Sequence, residues 1–232
     1  MRAKRVDRRL VRDAFLATVP ILAGYIVLGI GFGVILKSKG YGFWWALAMG
    51  VCIYAGSMQY LAIDLLTGGA SLITAALTTL AVNARHIFYG ISMVGKYRDV
   101  PHKPFLIFTL TDETYSLVCR GAPERYQDRA GSYYFFVSLF DYVYWVVGCA
   151  LGSLLGSVLP FDVEGVDFAL TALFVTVFVE QWLSSKNHIP AIIGVISSAV
   201  CLLIFGADRF LIPSMLLIAL LLTLLRRNEA DE

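Results

Sequence analysis

Charge is the scarcest feature of this 232-residue chain. Only 16% of its residues are charged, whereas 58% are hydrophobic and the mean hydropathy is +0.72. A soluble domain is usually about half apolar and about a quarter charged, so the composition excludes an ordinary soluble protein. The apolar runs do not alternate residue by residue, which excludes an outer-membrane β-barrel. We therefore predict an all-α, polytopic transmembrane helical bundle.

Motifs for catalysis and metal binding are also lacking. The four cysteines lie far apart and form no CxxC pair, so neither a disulfide framework nor a metal site is predicted. There is no HExxH, no GxSxG and no GxxxxGK[ST] loop for ATP hydrolysis. We predict no cofactor and no enzyme activity. The enzymatic alternative is an intramembrane enzyme with His86 and either Asp112 or Glu113 as base and acid.

Eight apolar runs form a predicted transmembrane domain over residues 14–225, between a basic segment (1–13) and a polar tail (226–232). A helix needs about 20 apolar residues to cross about 30 Å of hydrocarbon. The predicted spans are 14–36, 43–66, 71–94, 105–119, 133–159, 168–183, 189–205 and 210–225. The fourth run is short and contains two carboxylates, so seven spans are the alternative to eight.

The basic residues predict an orientation. Six of them precede the first span, which is too long for a cleavable signal, and the apolar sequence that follows speaks against a nucleic-acid-binding arm. With eight crossings and a cytoplasmic N-terminus, twelve basic residues lie inside and six outside; with seven crossings the numbers are seven and eleven. Because basic residues favour the cytoplasmic side, we predict eight crossings with both ends in the cytoplasm.

The stretch Tyr54–Gly90 carries polar residues within apolar sequence, where such residues are costly and usually mark a binding site. Gly56 and Ser57 predict a broken helix near Gly56–Gln59, because small residues permit unwinding. An unwound half-helix exposes backbone N–H groups that suit a substrate carboxylate, and Gln59 could bind a second substrate group. The alternative is a small-residue packing face with Gln59 bonded to a neighbouring helix.

Arg85 lies too far from the end of its run, at Val94, for its side chain to reach the membrane surface. It must therefore meet a carboxylate, a group of carbonyls or water. We predict that its planar fork of donors binds a substrate carboxylate; a structural ion pair is the alternative. His86 titrates near neutral pH and is a candidate for proton coupling, with hydrogen-bonded packing as the alternative.

Four carboxylates within the predicted spans could pair with Arg85, carry a proton or bind a substrate ammonium. Asp112 and Glu113 are adjacent, and two charges there would be costly in lipid, so one could pair with Arg85 while the other carries a proton. Alternatively, that run breaks and both face a water-filled vestibule. Asp141 and Glu180 are single carboxylates in the fifth and sixth spans.

Two further patterns in the sequence concern helix packing and internal repetition. Gly148, Gly152 and Gly156 recur every fourth residue, which predicts close helix packing. The sequence Trp45-Ala46-Leu47 is echoed by Phe168-Ala169-Leu170, which indicates an internal repeat. Chance similarity explains that match equally well.

Three motifs resemble those of the AzlC family of bacterial branched-chain amino acid exporters. They are Tyr54-Ala55-Gly56-Ser57-Met58-Gln59, Asn83-x-Arg85-His86-x-x-Tyr89-Gly90 and Thr111-Asp112-Glu113. The resemblance implies a multi-pass protein of the bacterial cytoplasmic membrane that works with a small hydrophobic AzlD-type partner. It also implies export of valine, leucine, isoleucine or methionine, driven by the proton gradient.

These arguments assign residues to two roles. The predicted substrate-binding residues are Gly56, Ser57, Gln59, Asn83, Arg85 and Tyr89. The predicted residues for proton or ammonium coupling are His86, Asp112, Glu113, Asp141 and Glu180. The expected partners are the amino-acid substrate, the lipid bilayer and the AzlD-type subunit, with no nucleic acid. The alternative from another class is a membrane scaffold that transports nothing, in which the buried charges are structural.

Overall fold

The structure, a computed structural model, describes residues 7–158, 175, 178–179, 182–183, 187–206 and 210–230. Its regular elements are helices, and the described residues contain no strand. The α-helices are α1 (Arg8–Ser38), α2 (Phe43–Cys52), α3 (Gly56–Thr67), α4 (Leu72–Asn83), α5 (Arg85–Met93), α6 (Lys103–Phe108), α7 (Asp112–Val118), α8 (Ala130–Val158), α9 (Ile189–Phe205) and α10 (Leu211–Ala230). A 3-10 helix (Glu124–Arg129) precedes α8.

The two long helices, α1 and α8, lie side by side and run in the same direction. Near their starts, the rings of Phe15 and Phe140 are 5.5 Å apart. Further along, the rings of Tyr25 and Trp145 are 5.6 Å apart. Both contacts advance along the two helices together, which shows that the helices are parallel. We call the end where both begin the N-terminal end of the molecule, and the other the far end.

Glycines allow α1 and α8 to approach until their backbones touch. A Cβ atom on Gly29 would come within 2.9 Å of backbone atoms of Gly148 and Cys149. A Cβ atom on Gly33 or Gly152 would collide with the backbone of the facing helix as well. The close packing predicted for the glycines of the fifth span is therefore confirmed.

The helix α2 runs antiparallel to α8, from the far end towards the middle of the molecule. Gly50 lies against Cys149. The next residue, Val51, accepts a hydrogen bond at its carbonyl from the hydroxyl of Tyr142, at 3.0 Å. Successive residues of α2 therefore contact residues that lie progressively nearer the start of α8, which shows that the two helices are antiparallel.

The helix α3 turns back towards the far end. Its first residue, Gly56, lies against the ring of Trp145. One turn later the hydroxyl of Tyr60 donates to the carbonyl of Leu28, at 2.7 Å, and its ring packs against Phe32 at 5.7 Å. Since Trp145 lies level with Tyr25, these contacts advance along α1. Together α2 and α3 form a hairpin that enters from the far end and returns to it.

The helices α6 and α7 form a second hairpin, which enters from the N-terminal end. Along α6, Phe105 packs against Phe135 at 5.4 Å and Phe108 against Tyr142 at 6.3 Å, so α6 runs parallel to α8. The chain then reverses. Within α7 the side chain of Thr114 contacts Asp141, and beyond it the backbone of Ala122 contacts the hydroxyl of Tyr134, nearer the start of α8.

Helices α4 and α5 together run from the far end to the N-terminal end. The helix α4 starts just after the first hairpin has returned to the far end, and it contacts α10, which packs on α9. Beyond the α4–α5 interruption, Met93 and Tyr97 lie in one apolar cluster with Leu10, near the start of α1. A second apolar cluster, around Phe32 and Trp145, occupies the half nearer the far end.

The prediction of eight crossings is not confirmed. Two described helices are long and apolar enough to cross a membrane, Arg8–Ser38 and Glu124–Val158 with its 3-10 turn, and shorter apolar helices are Phe43–Cys52, Ile189–Phe205 and Leu216–Leu225. The predicted second and fourth spans are hairpins. An apolar hairpin contains as many apolar residues as a crossing helix, so hydropathy does not separate the two.

Two consequences of the eight-crossing topology are therefore wrong. With eight crossings, the Gly68-Gly69 turn between the second and third predicted spans falls on the side of the N-terminus. In the structure it lies at the far end, where the first hairpin returns. The loop at 95–104, between the third and fourth predicted spans, falls on the opposite side in that topology, yet Tyr97 lies beside Leu10 at the N-terminal end. The predicted sixth span, with the second copy of the proposed repeat, lies almost wholly outside the described residues.

Candidate functional site

Interruptions in three helical segments meet near the middle of the molecule. They lie between α2 and α3 at residues 53–55, between α4 and α5 at Ala84, and between α6 and α7 at residues 109–111. A cavity of about 50 Å³, which we call the central cavity, lies among them. Its lining residues are Tyr25, Leu28, Tyr54, Ala55, Gly56, Ser57, Arg85, His86, Thr111, Asp112, Glu113 and Trp145.

Local backbone chemistry explains two of the interruptions. Tyr54 adopts a left-handed φ of 45° and Ala55 is extended, so α3 begins afresh at Gly56. Gly56 is required there because a Cβ atom would lie 2.9 Å from the ring of Trp145. In the second hairpin, Thr111 is extended and its hydroxyl accepts from the backbone N–H of Thr114, which caps the start of α7.

Arg85 links the tips of the two hairpins. Its Nη2 donates to the hydroxyl of Ser57, at the start of α3, over 2.8 Å. Its Nη1 lies 3.3 Å from a carboxylate oxygen of Asp112, at the start of α7. The side chains of the ion pair keep 29% and 27% of their surface exposed, so the pair borders open space.

A second polar group leads from the central cavity into the protein. The hydroxyl of Tyr25 lies 2.8 Å from Oε2 of Glu113 and 2.6 Å from the hydroxyl of Thr111. Thr111 is 3.2 Å from the hydroxyl of Thr114, which donates to Oδ2 of Asp141 over 2.7 Å. Asp141 is completely buried. We call this connected series the hydroxyl chain.

Gln59 lies behind the central cavity and positions one of its walls. Its side chain is completely buried, and its Oε1 accepts from the indole N–H of Trp145 over 2.7 Å. Its amide nitrogen lies 4.0 Å from Sγ of Cys149. Gln59 therefore ties α3 to α8, which is the packing alternative that its sequence context left open.

A larger cavity of about 530 Å³, the apolar cavity, adjoins the central one. Both share Tyr54, Ala55 and His86 in their walls. Its other lining residues are Ile53, Asn83, Gly90, Met93, Val94, Tyr97, Lys103, Ile107, Phe108 and Leu110. Ligand pockets typically enclose about 300–1,000 Å³ with mostly apolar walls and a few polar groups, and this cavity fits that description.

The family assignment follows from a comparison with known proteins. The family described as AzlC protein matches residues 20–159, more than half of the chain and all of the residues that form both hairpins and the central cavity. The chain belongs to the AzlC family. No solved structure matches it.

Curated relatives of this AzlC-family chain are membrane proteins. The branched-chain amino acid transport protein AzlC of Bacillus subtilis is 42% identical over 93% of this chain and 85% of its own length. An uncharacterized membrane protein of Haemophilus influenzae is 44% identical over 92% of the chain and 88% of its own length. The inner membrane protein YgaZ of Escherichia coli is 25% identical over 84% of the chain and 80% of its own length.

Six of the predicted residues line the central cavity of this AzlC-family protein. They are Gly56, Ser57, Arg85, His86, Asp112 and Glu113. A helix break was predicted near Gly56–Gln59. The observed break lies just before these residues, which form the first turn of α3. The acidic partner expected for Arg85 is Asp112.

The remaining predicted residues lie elsewhere. Asn83 lines the apolar cavity, and its carbonyl contacts Nδ1 of His86 at 3.2 Å. Tyr89 stacks on Tyr115, with ring centres 4.8 Å apart, outside both cavity walls. Asp141 lines neither cavity and accepts a hydrogen bond from Thr114 at the end of the hydroxyl chain. Glu180 lies outside the described residues.

Sequence reasoning missed Tyr25 and Trp145, which the continuous helices α1 and α8 contribute to the central cavity. The available signal was weak, because each is an aromatic residue with one polar atom in the middle of an apolar run, and such residues usually serve packing. The described residues include no cluster of His, Cys, Asp and Glu that could hold a metal ion.

Proposed function

We propose that this protein exports branched-chain and similar apolar amino acids across the bacterial cytoplasmic membrane, using the proton gradient. The Arg85–Asp112 ion pair at the tips of two opposed hairpins is the observation that carries the proposal. An amino acid presents one carboxylate and one ammonium, and this pair offers the complementary charge to each. The named activity of the Bacillus subtilis relative supports the substrate class.

The substrate carboxylate binds Arg85 and the start of α3. A guanidinium offers two parallel donors to a carboxylate, so Arg85 can replace its bond to Asp112 with a bidentate one. The helix α3 runs from Gly56 to Thr67, and its first backbone N–H groups point away from the helix towards the carboxylate site. Its positive dipole end adds to the attraction. This arrangement, with a binding site at the start of an interrupted helix, is typical of secondary transporters.

The substrate ammonium takes over Asp112. In the described conformation this carboxylate is 3.3 Å from Arg85, and a zwitterion inserted between them restores both charge pairs. Glu113, on the adjacent position, lines the same cavity and contributes the coupling proton site. Neither charge is left uncompensated during the exchange, which avoids the large cost of an isolated charge in a low-dielectric region.

The aliphatic side chain of the substrate enters the apolar cavity. Ile53, Ile107 and Phe108 supply much of its wall, and its volume of about 530 Å³ accommodates leucine, isoleucine, valine or methionine. Burial of each CH₂ group contributes about 0.8 kcal/mol, which favours these substrates over small polar ones. His86 and Tyr54 stand where the two cavities meet and can contact the substrate's α-carbon region.

The central cavity is too small for the whole substrate, because about 50 Å³ accommodates only a few water molecules. Binding therefore requires the hairpin tips to separate, which breaks the Arg85 link between Ser57 and Asp112. Because one hairpin returns to each end of the molecule, separation of one tip opens the site towards one side only. This provides alternating access around a central site.

The basic residues support a cytoplasmic N-terminal end. Among residues 7–158, nine basic residues lie in or beside loops at that end, whereas the far end has only Lys37 and Lys39. Basic residues near membrane-spanning helices favour the cytoplasmic side. The second hairpin then faces the cytoplasm and the first faces outwards.

The family resemblance implies a small AzlD-type partner. A consistent feature is the apolar surface of α4, where Leu72, Ile73, Leu77 and Leu80 are all more than 60% exposed. Lipid or a hydrophobic subunit could cover such a surface. The transport assay below is therefore run both with the full chain alone and with the partner co-expressed.

The test uses proteoliposomes loaded with labelled valine. An imposed pH gradient should drive efflux from liposomes that contain the wild-type protein. Arg85→Lys keeps the charge but loses the fork of donors, so its efflux should fall at least about tenfold, the effect of one charge-assisted hydrogen bond. Arg98→Lys, at an exposed loop position, is the matched control and should transport normally.

Two outcomes contradict the proposal. Absence of gradient-driven valine efflux by the wild type, with and without the partner, rules out the activity itself. Equal efflux by Arg85→Lys and Arg98→Lys would show that Arg85 serves only as a structural ion pair, as in the scaffold alternative.

A further inference from the structure

We propose that Glu113 and Asp141 share a single exchangeable proton through the hydroxyl chain, and that this proton is the one coupled to transport. The proposal rests on the proposed function and specifies how its energy is supplied. The two carboxyl groups stand at the ends of a continuous series of three hydroxyls, from Tyr25, Thr111 and Thr114. A proton is passed along such a series without any side chain moving far.

The number of hydrogens determines how many protons the chain holds. There are four oxygen–oxygen links, of 2.8, 2.6, 3.2 and 2.7 Å. Each link needs one hydrogen, and the three hydroxyls supply three. One further hydrogen, on either carboxyl group, completes the chain. With both carboxylates charged one link lacks a hydrogen, and with both neutral one hydrogen has no acceptor in the chain.

The completed chain has two equivalent directions. With the proton on Glu113, this carboxyl donates to Tyr25, Tyr25 to Thr111, Thr111 to Thr114, and Thr114 to the Asp141 carboxylate. When each hydrogen moves to the next oxygen, the O–H bond of Glu113 breaks and one forms on Asp141. No electron is transferred, and the net change is one proton moved from the cavity wall to a buried site.

The two ends differ in their access to the cavity. Glu113 lines the central cavity, where the substrate ammonium and water arrive. Asp141 has no exposed surface, and its second oxygen, Oδ1, has no hydrogen-bond partner among the described residues. A proton on Asp141 is therefore sheltered from solvent, whereas a proton on Glu113 can be exchanged.

Other titratable and charged groups surround the chain. Arg85, His86 and Asp112 line the same cavity as Glu113. Tyr54, at the first hairpin tip, lies near Tyr25, Thr114 and Asp141, and Tyr144, one turn along α8, also lies near Asp141. When the substrate ammonium approaches Asp112, its positive charge favours the ionised form of Glu113, so the proton moves to Asp141. Substrate binding and proton position are linked in this way.

Threonine-to-valine replacements break the chain with little change in shape. Thr114→Val removes the middle link, and Asp141→Asn removes the buried acceptor of the proton. Thr18→Val is the matched control, because Thr18 is also completely buried and its hydroxyl bonds Tyr144 outside the chain. All are measured in the full chain, with the partner subunit where transport needs it, for exchange of labelled for unlabelled valine and for uptake driven by a pH gradient.

We expect Thr114→Val and Asp141→Asn to exchange valine while gradient-driven accumulation falls about 100-fold, the usual contribution of a positioned proton-transfer group. Thr18→Val should retain both activities. Normal gradient-driven accumulation by Thr114→Val and Asp141→Asn would overturn the proposal, and so would accumulation driven equally well by a sodium gradient. A wild type that neither exchanges nor accumulates valine would instead contradict the proposed function.

An infrared measurement tests the hydrogen count without transport. The carbonyl band of protonated carboxyl groups is recorded between neutral and alkaline pH for the wild type and for the double variant Glu113→Gln, Asp141→Asn. One amide can donate and the other accept, so the double variant keeps all four links without an exchangeable proton. The wild type should differ from it by one carboxyl group. A difference of two groups, or of none, would overturn the shared proton.

Discussion

The continuous helices α1 and α8 and the three interrupted segments contribute differently to this molecule. The continuous pair is parallel, and its glycines bring backbone against backbone. The segments 43–67, 72–93 and 103–118 are interrupted at the same depth, and their interruptions supply most of the central cavity. Contact between backbones leaves no side chain to rearrange, so α1 and α8 form a fixed frame. In the proposed transport cycle, movement and the polar chemistry that accompanies it belong to the interrupted segments.

The largest loss of stability is expected from the glycine crossing. Gly152→Ala places a Cβ atom against the backbone of Ile30 on α1, which cannot yield as a side chain could. The free energy of unfolding should fall by about 3 kcal/mol, the upper part of the range for overpacking. Thermal unfolding in detergent is the measurement. Gly24→Ala, on α1 with open space around it, is the control and should be neutral or slightly stabilising.

The bond between Gln59 and Trp145 joins the fixed frame to the first hairpin. Gln59→Leu leaves the buried indole N–H without its acceptor, which should lower the free energy of unfolding by about 1–3 kcal/mol. Gln127→Leu is the control. The exposed side chain of Gln127 donates to the carbonyl of Ala122, and its replacement should lower the free energy of unfolding by a smaller amount. If both variants unfold at the same temperature, the frame and the hairpin are not coupled through Gln59.

The ion pair at the hairpin tips should matter more for transport than for stability. Asp112→Asn removes its negative charge, but the side chains are partly exposed, so the free energy of unfolding should fall by only about 1 kcal/mol. Valine transport should nevertheless be lost, because the substrate ammonium has no counter-charge. Efflux and thermal unfolding are compared on the same preparation. If the variant unfolds at a much lower temperature yet transports normally, Asp112 serves stability and not transport.

The smallest effect is expected at the start of α1. Asp7 accepts from the backbone N–H of Arg9 and pairs with Arg129 at 3.4 Å, both in exposed positions. Asp7→Asn keeps the capping oxygen and removes only a surface ion pair, so stability should change by less than about 0.5 kcal/mol. Transport should be unchanged. A large effect on transport would show that the N-terminal end of the frame takes part in the cycle.

Helix positions were largely predictable from the sequence, whereas direction was not. The predicted run at 189–205 coincides with α9, and the run at 43–66 ends one residue before α3 does. Hydropathy reports apolar length, and the reversals at Tyr54 and at Thr109–Thr111 leave that length unchanged. A left-handed φ at a tyrosine has no sequence signature comparable to that of glycine. The hairpins, and with them the sidedness of two loops, were therefore missed.

The candidate site shows the same division. Arg85 stood out because an intramembrane cation must meet a counter-charge, and Asp112 was one of the expected partners. Tyr25 and Thr114 carry only a hydroxyl, which costs little in a helix and does not stand out in composition. Their importance lies in their order in space, with Thr111 between them, and that order appears only when α1, α7 and α8 are brought together.

The opposed hairpins also bear on how a membrane voltage would act on the protein. With the two ends of the molecule at the two membrane faces, as proposed, one tip descends from each face. The layer that separates the faces is then thinnest where the tips meet, and the electric field is strongest there. A full elementary charge crossing the membrane at 100 mV exchanges about 2.3 kcal/mol with the field. A proton moving between Glu113 and Asp141 would travel within this layer. It would therefore cross a larger fraction of the membrane voltage than the length of its path suggests.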